Sequence, residues 1–319
     1  MCTAISFVAN NLYFGRTLDV EFDILPSVVV TPRNYTFSVS NKKINSHFAV
    51  IGMALPVNNH PLYFDASNEA GLAMAGLNFP KNAYYFEQVK GKLNVPVSDF
   101  ILYILSTCKS VEEAKMELND LVLVEKNPYS MPTSPLHFII SDKKASITVE
   151  QTTEGLKVYD NSVGVLTNNP PFNWHMLNLA NYLNITSDEP TNRMLNDINI
   201  VPYCKGMGGI GLPGDLSSAS RFIRATFTKF NAKKYANDSE NIHQFFHILE
   251  SVFQTEGLAK AGDSYEKSLY TSCIDVDNSV YYYKTYQNSR INAVKMQDID
   301  GSAIQVYKLN TNCDINYQN

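Results

Sequence analysis

The second residue of the chain is a cysteine, in the opening run Met1-Cys2-Thr3-Ala4-Ile5-Ser6-Phe7. A thiol there gains little from packing and risks oxidation. Removal of Met1 would change its value, because Cys2 would then carry a thiol and a free α-amine on one residue. A cysteine side chain is small enough for the initiator methionine to be trimmed. An α-amine titrates at about 7.7–8.0 and a thiol at about 8.5. The amine is therefore a competent base near neutral pH, held beside the thiol by covalent geometry. An N-terminal nucleophile can use its own amine where other nucleophiles recruit a histidine. The competing reading is a cysteine that merely follows Met1 in a buried strand.

Other stretches supply groups that such chemistry needs. Phe14-Gly15-Arg16-Thr17-Leu18-Asp19 places Arg16 and Asp19 just after a second strand. If the first two strands form a hairpin through Asn10-Asn11, Arg16 returns beside the start of the chain. A cation there favours the thiolate, and a carboxylate would orient a protonated α-amine. The alternative is a surface ion pair, which contributes little. Ala75-Gly76-Leu77-Asn78-Phe79-Pro80 and Val165-Leu166-Thr167-Asn168-Asn169-Pro170 both end a strand with asparagine. Asn78 and Asn168 could supply amide donors to an oxyanion; asparagine before a turn is also common for purely structural reasons. Gly211-Leu212-Pro213-Gly214-Asp215 leads into a capped helix that carries Arg221 and Arg224.

Three rival motifs are weaker. Gly206-Met207-Gly208-Gly209-Ile210-Gly211 fits the dinucleotide fingerprint in spacing, but the fingerprint requires a preceding strand and a following helix. Leu212-Pro213-Gly214 opposes that helix. His243 and His247 share a helix face without the glutamate of a metalloprotease motif or further ligands, so ordinary helix packing is the simpler account. His137 and His175 could seed a Cys-His arrangement, which a terminal amine makes unnecessary.

The elements that must position these groups alternate in blocks. Thr3–Val8, Leu12–Arg16, Ser27–Pro32, Phe48–Leu55 and Leu72–Leu77 read as strands, rich in β-branched and aromatic residues and separated by Asn/Asp/Gly/Pro turns. Helical spacing covers Val97–Cys108, and Ser110-Val111-Glu112-Glu113 is a capping box for the next helix. Strands resume at Leu136–Ser141, Ser146–Gln151 and Leu156–Asp160. Helices are expected at Phe172–Leu183, Ser217–Phe230 and Glu240–Phe253, then strands at Ser268–Val276, Ser279–Thr285 and Ile291–Met296. Blocks of strands followed by blocks of helices favour antiparallel sheets covered by helices over a doubly wound parallel sheet.

Bulk composition narrows the class. The 319 residues are 45% hydrophobic, enough for a substantial core, and no repeat or Pro/Gly-rich linker divides them. A single domain, 1–319, is expected. The net charge of −5 without a basic block argues against a nucleic-acid partner. The five cysteines, Cys2, Cys108, Cys204, Cys273 and Cys313, are odd in number and widely spaced. A disulfide framework or zinc site is not expected, and a reducing compartment is. The longest apolar run, Phe48–Leu55, is less than half a membrane span. No basic leader precedes an apolar signal core. Cytoplasmic residence without membrane association is the expectation. The 19 Tyr and 17 Phe residues could partly line an apolar pocket.

Taken in order, MCT, FGRTLD, AGLNFP, LTNNP, GLPGD and SSASRFIR, with the later EQ, FFHIL, YTSC and YYYKTY, resemble the choloylglycine hydrolase family of bile salt hydrolases and penicillin V acylases. The resemblance spans nearly the whole chain. It implies an α+β fold, the four-layer αββα sandwich of two antiparallel sheets found in N-terminal nucleophile hydrolases. It further implies Cys2 as nucleophile, Arg16 and Asp19 as the active-site Arg and Asp, and Asn78 and Asn168 as the asparagines shaping the oxyanion site. Arg221 matches the supporting arginine, with Arg224 one turn away as the less favoured candidate. The implied reaction is hydrolysis of glycine- or taurine-conjugated bile acids through a thioester, without cofactor or metal. The steroid pocket would come from loops after Leu18 and Leu55 and around residues 126–136. Members with asparagine at the place of Asn78 typically cleave bile salts, and penicillin V acylases often have tyrosine there. Penicillin V acylase activity and a non-catalytic steroid-binding protein are the alternatives. Family members are commonly homotetramers, which the resemblance carries over as an expectation.

Overall fold

The computed structural model describes residues 1–319 except 41, 126–128, 130, 131, 196 and 314. The chain opens with a hairpin of β1 (Cys2–Val8) and β2 (Leu12–Val20), turned at Asn10-Asn11. Next come β3 (Ser27–Thr31), β4 (Phe37–Val39), β5 (Lys42–Ile44), β6 (Val50–Val57), β7 (His60–Asn68), β8 (Ala73–Asn78) and β9 (Leu93–Pro96). Two helices follow, α1 (Phe100–Thr107) and α2 (Val111–Leu118). Five strands succeed them: β10 (Leu121–Val124), β11 (Leu136–Ser141), β12 (Ser146–Thr152), β13 (Gly155–Asp160) and β14 (Val165–Leu166). The rest of the chain holds α3 (Phe172–Asn178), α4 (Ser218–Asn231), α5 (Asp238–Glu250), β15 (Ala259–Ala261), β16 (Ser264–Asp275), β17 (Val280–Thr285), β18 (Asn292–Lys295) and β19 (Gln305–Lys308).

Two large antiparallel sheets dominate. One runs β14-β1-β2-β16-β17-β18, with β15 on β16; the other runs β13-β12-β11-β8-β7-β6-β3-β19. Strand alternation explains the layering. In the second sheet Val28, Val30, Ile51, Met53, Ala73, Ala75, Leu77 and Ile139 face the first sheet. Their neighbours Val29, Val50, Leu72, Met74, Phe138 and Ile140 face the core beneath α1 and α2. Phe222, Ile223, Phe245, Phe246 and Leu249 of α4 and α5 cover the outer face of the first sheet. The order is helices, sheet, sheet, helices.

Sequence and structure differ in informative places. β7 is not announced by alternation, because Pro61, Asp65 and Asn68 interrupt it; Asp65 and Asn68 are nonetheless buried. The Phe172–Leu183 helix is α-helical only to Asn178 and continues as a 3-10 turn over Leu179–Tyr182. Ser110 caps α2 by accepting from the Glu113 N–H, but the Glu113 carboxylate reaches the Lys109 N–H rather than that of Ser110. The glycine-rich stretch forms a short 3-10 turn, Met207–Gly209, and no nucleotide-binding strand-turn-helix. His243 and His247 lie on the solvent face of α5, so they are surface residues and not packing ones; His247 pairs with Glu250.

β2 packs against β16 so tightly that Gly15 has no room for a side chain. A Cβ there would sit 2.1 Å from the Ser272 carbonyl oxygen. Neither atom belongs to a flexible side chain, so the strands must part. Gly15→Ala is expected to lower unfolding free energy by about 1–3 kcal/mol, read as a lower urea midpoint, because it also pushes Arg16 off its partners.

Candidate active site

The register of β1 builds the site. In the β1–β2 ladder Cys2 lies opposite Leu18 and Ala4 opposite Arg16. Opposed residues share a face, and every second residue returns to it. Cys2 and Arg16 therefore project from the same side of the sheet, toward β7 and β8. On the other edge of β1, Ala4 lies opposite Leu166 and Ile5 opposite Val165. Continuing that register brings Asn168 opposite Cys2, and the Cys2 N–H donates to Asn168 Oδ1 at 2.8 Å.

Asn168 is the hub. Its Oδ1 also accepts from Arg221 Nη2 at 2.8 Å, and its Nδ2 donates to the Asn78 carbonyl at 2.7 Å. Two donors on one side and a carbonyl on the other settle which end of the amide is oxygen. Asn78, the last residue of β8, thus contributes its carbonyl, while the residue itself is solvent-exposed. The Asn168 N–H donates to Ser218 Oγ at 2.8 Å, and the Asn168 carbonyl accepts from His175 Nε2 at 2.9 Å.

Two guanidiniums flank Cys2, both buried. Arg221, on the inner face of α4, donates to the Cys2 carbonyl at 2.5 Å, Thr3 Oγ1 at 2.7 Å and the Leu216 carbonyl at 3.0 Å. Burial holds its pKa below the usual arginine value despite Asp19, Cys2 and Glu266. Arg224 instead binds the carbonyls of Ser251, Pro213 and Asp215 and braces the loop before α4. Arg16 donates to the carbonyls of Thr17, Phe64 and Gly76. Burial opposes its charge, but Cys2, Tyr270, Asp65 and Asp19 outweigh burial and hold its pKa above the ordinary arginine value.

Asp19 is placed differently. It lies an odd number of residues from Arg16, so its carboxylate projects from the opposite face of the sheet. There it accepts from Thr17 Oγ1 (3.1 Å), Ser268 Oγ (2.6 Å) and Gln254 Nε2 (3.2 Å). Its backbone clamps the first residue: the Asp19 N–H donates to the Met1 carbonyl, and the Met1 ammonium donates to the Asp19 carbonyl. The same ammonium pairs with Glu266 at 2.9 Å. With Met1 present, Cys2 is 3% exposed.

Asp65 is the group that sequence reasoning misses. It is fully buried and accepts from the hydroxyls of Tyr270 (2.5 Å), Tyr281 (2.7 Å) and Ser272 (2.9 Å), joining the two sheets beside Arg16. Burial raises its pKa, offset in part by Arg16 and the three hydroxyls. The one signal was a lone carboxylate in an otherwise apolar run. Neither His137 nor His175 hydrogen-bonds the Cys2 thiol; both contact the backbone of the Asn168 segment. Of the pocket loops expected from sequence, residues 126–128, 130 and 131 lie outside the described residues. No group of three or more His, Cys, Asp or Glu suited to a metal occurs among the described residues.

His175 gives the site an acid limit. Burial pushes its ring down from 6.5 to about 4, with His137 and Arg221 adding to the shift and the Asn168 carbonyl and Glu150 opposing it. Above pH 6.5 the ring is neutral folded or unfolded. Between there and about pH 4 only the unfolded chain takes up the proton, so stability falls as pH falls, and the full loss is about 3 kcal/mol. His175→Gln, which keeps a donor for Asn168, should shrink the difference between urea stabilities at pH 7 and pH 4.5 by roughly 2 kcal/mol. An unchanged difference would contradict the assignment.

Comparison with known proteins adds three relationships. The chain is 44% identical over 314 residues to a bile salt hydrolase/transferase of Lactiplantibacillus plantarum, covering 97% of each. It is 40% identical to the bile salt hydrolase/transferase of Clostridium perfringens, covering 100% of each. A C2A mutant structure of the conjugated bile acid hydrolase from Clostridium perfringens superposes with a TM-score of 0.92 at 37% identity, again over 100% of both chains. These relationships accompany the αββα fold of an N-terminal nucleophile hydrolase. Residues 2–307 match the family described as linear amide C-N hydrolases, choloylglycine hydrolase family, and the chain belongs to it.

Proposed function

We propose that the protein hydrolyses the amide bond of glycine- or taurine-conjugated bile acids with Cys2 as its N-terminal nucleophile. The observation that carries this reading is the placement of the Cys2 nitrogen. It already lies 2.8 Å from Asn168 Oδ1 while Met1 is attached. Removing Met1 would turn that nitrogen into an α-amine, one bond from the carbon that bears the thiol arm. The thiol would pass its proton to the amine as sulfur attacks the substrate carbonyl. The ammonium would protonate the departing glycine or taurine nitrogen. Water, deprotonated by the same amine, would then cleave the cholyl thioester and regenerate Cys2.

The other candidates take roles that fit their contacts. Asn168 Nδ2 carries a second hydrogen beside the one given to Asn78, free to reach an oxyanion; one such donor contributes about 2.7–4 kcal/mol to the transition state. Arg16 and Arg221 supply positive charge where the tetrahedral intermediate gathers negative charge. Asp19 fastens the start of β1 through its backbone and steadies Arg221 and Arg16 by charge. The relatives at 40–44% identity are named for bile salts, which favours these substrates over penicillin V and over non-catalytic steroid binding.

Cys2→Ala should reduce glycine release from glycocholate by roughly a thousandfold or more while leaving the melting temperature near that of the wild type. Turnover that survives the substitution would exclude the mechanism. Penicillin V, assayed beside glycocholate and taurocholate, should be the poorest substrate; preference for it would move the assignment to the acylase branch.

We also propose that the chain works as one domain in the cytoplasm, where its five free cysteines suit reducing conditions, and as a homotetramer. Residues 183–210 present Leu183 (85% exposed), Met194, Ile198, Val201, Tyr203 (84% exposed) and Ile210 to solvent. So many apolar side chains on one excursion need a partner surface. Light scattering should give the mass of four chains, and the double variant Leu183→Asp/Tyr203→Asp should dissociate. A wild-type monomer would contradict the assembly.

A further inference from the structure

His137 and Glu150 are ionisable, buried and outside the chemistry assigned above. His137 on β11 is fully buried and Glu150 on β12 nearly so. His137 Nδ1 lies 3.0 Å from Glu150 Oε1. Two lone pairs would repel at that distance, so a proton lies between them. The other ring nitrogen, Nε2, is 2.9 Å from the Thr167 carbonyl and can only donate to it. Glu150 Oε1 also accepts from the Phe172 N–H at 2.9 Å. The Phe79 ring stacks on the imidazole, with centroids 4.3 Å apart and planes within 5°, which fixes the ring's plane.

The pair therefore grips the chain on both sides of Asn168, at Thr167 and at Phe172. Between the grips, Ser218 Oγ takes the Asn168 N–H and His175 takes its carbonyl. Ser218 is itself tied to Thr167 through their hydroxyls at 2.9 Å. β14 is only two residues long and could not hold Asn168 opposite Cys2 by ladder bonds alone. Phe79, stacked on His137, follows Asn78, whose carbonyl receives Asn168 Nδ2. The hydrogen bonds of the imidazole thus lead to the backbone on either side of Asn168, and its stacking partner adjoins the residue that accepts from Asn168 Nδ2.

We propose that His137 and Glu150 are positioning residues for the hydrolysis, holding the Asn168 amide against the Cys2 nitrogen through the Thr167 carbonyl and the Phe172 amide. The inference rests on the Cys2-centred reading above. A pair that only packed could be replaced by apolar groups of similar volume at little cost. A positioning pair could not, because small displacements of a reacting constellation cost rate steeply.

The test compares His137→Leu, His137→Gln and Glu150→Gln with the wild-type protein, by steady-state kinetics on glycocholate and by crystal structures of the folded variants. His137→Leu should lower kcat roughly ten- to a hundredfold, with KM within about threefold of wild type. His137→Gln, which keeps a donor toward Thr167, should recover most of kcat, and Glu150→Gln should fall between. Asn168 Oδ1 should withdraw from the Cys2 nitrogen in His137→Leu and stay in His137→Gln. A folded His137→Leu protein with wild-type kcat, or with lost kcat and an unmoved Asn168, would overturn the inference. So would failure of His137→Gln to recover activity. If His137→Leu does not fold, an unchanged kcat in Glu150→Gln overturns it. If the wild type releases no glycine, the functional reading fails, and the position of Asn168 in the variant crystals decides this inference alone.

Discussion

The hydrogen bond from the Cys2 nitrogen to Asn168 Oδ1 is the contact on which the rest of the site depends. It ties the first strand to a loop more than 160 residues later in the chain and fixes the atom that the proposed chemistry needs as a base. The surrounding interactions serve it. Arg221 holds the oxygen end of the amide and the Cys2 carbonyl at once, so one rigid guanidinium spans both partners. Asn78 holds the nitrogen end. Because the amide is held by its side chain and its backbone, it would have little freedom left to lose on meeting the proposed oxyanion, the condition under which such a donor is most effective.

The site has an electrostatic cost that explains its surroundings. Burying guanidiniums is expensive unless their donors are matched. Arg221 bonds carbonyl, amide and hydroxyl oxygens. Arg16 bonds three carbonyls through Nε and Nη1, while its Nη2 is buried without a hydrogen-bond partner among the described residues. Asp19 and Asp65 lie nearby to offset the charge. Direct ion pairs would neutralise both arginines. Carbonyl partners leave their positive potential available at the sulfur. Asp65 in turn spends its lone pairs on three hydroxyls from β16 and β17, which binds the sheets together and keeps it off the guanidinium. Protein stability and site electrostatics are thereby set by the same few groups.

Much of this was legible in the sequence, and the reasons are particular. The Asn10-Asn11 turn marked the β1–β2 hairpin, and its register follows from the turn. The αββα layering came from the family resemblance, because β3, β6, β8 and β11 are buried on both faces and carry no apolar/polar alternation to show it. The family resemblance singled out Cys2, Arg16, Asn78, Asn168 and Arg221, which the fold gathers around one point. Asp19 was legible as a residue but not as a geometry. An odd spacing from Arg16 sends its carboxylate to the opposite face, and its backbone is what meets Met1. β7 was hidden because its polar residues face buried partners instead of water. His137 was visible only as a possible partner of a cysteine and Glu150 as an ordinary strand residue, until the β11–β12 hairpin sets them side by side and the fold brings them under Thr167.

The proposed chemistry requires a trimmed chain that attacks through its own first residue. Intact-mass and peptide-mapping spectrometry of active protein, acid-quenched during turnover of glycocholate, addresses it most directly. The expected species lacks Met1 and carries a cholyl group in thioester linkage on Cys2. A cholyl group on any other side chain, or an active chain that retains Met1, would contradict it.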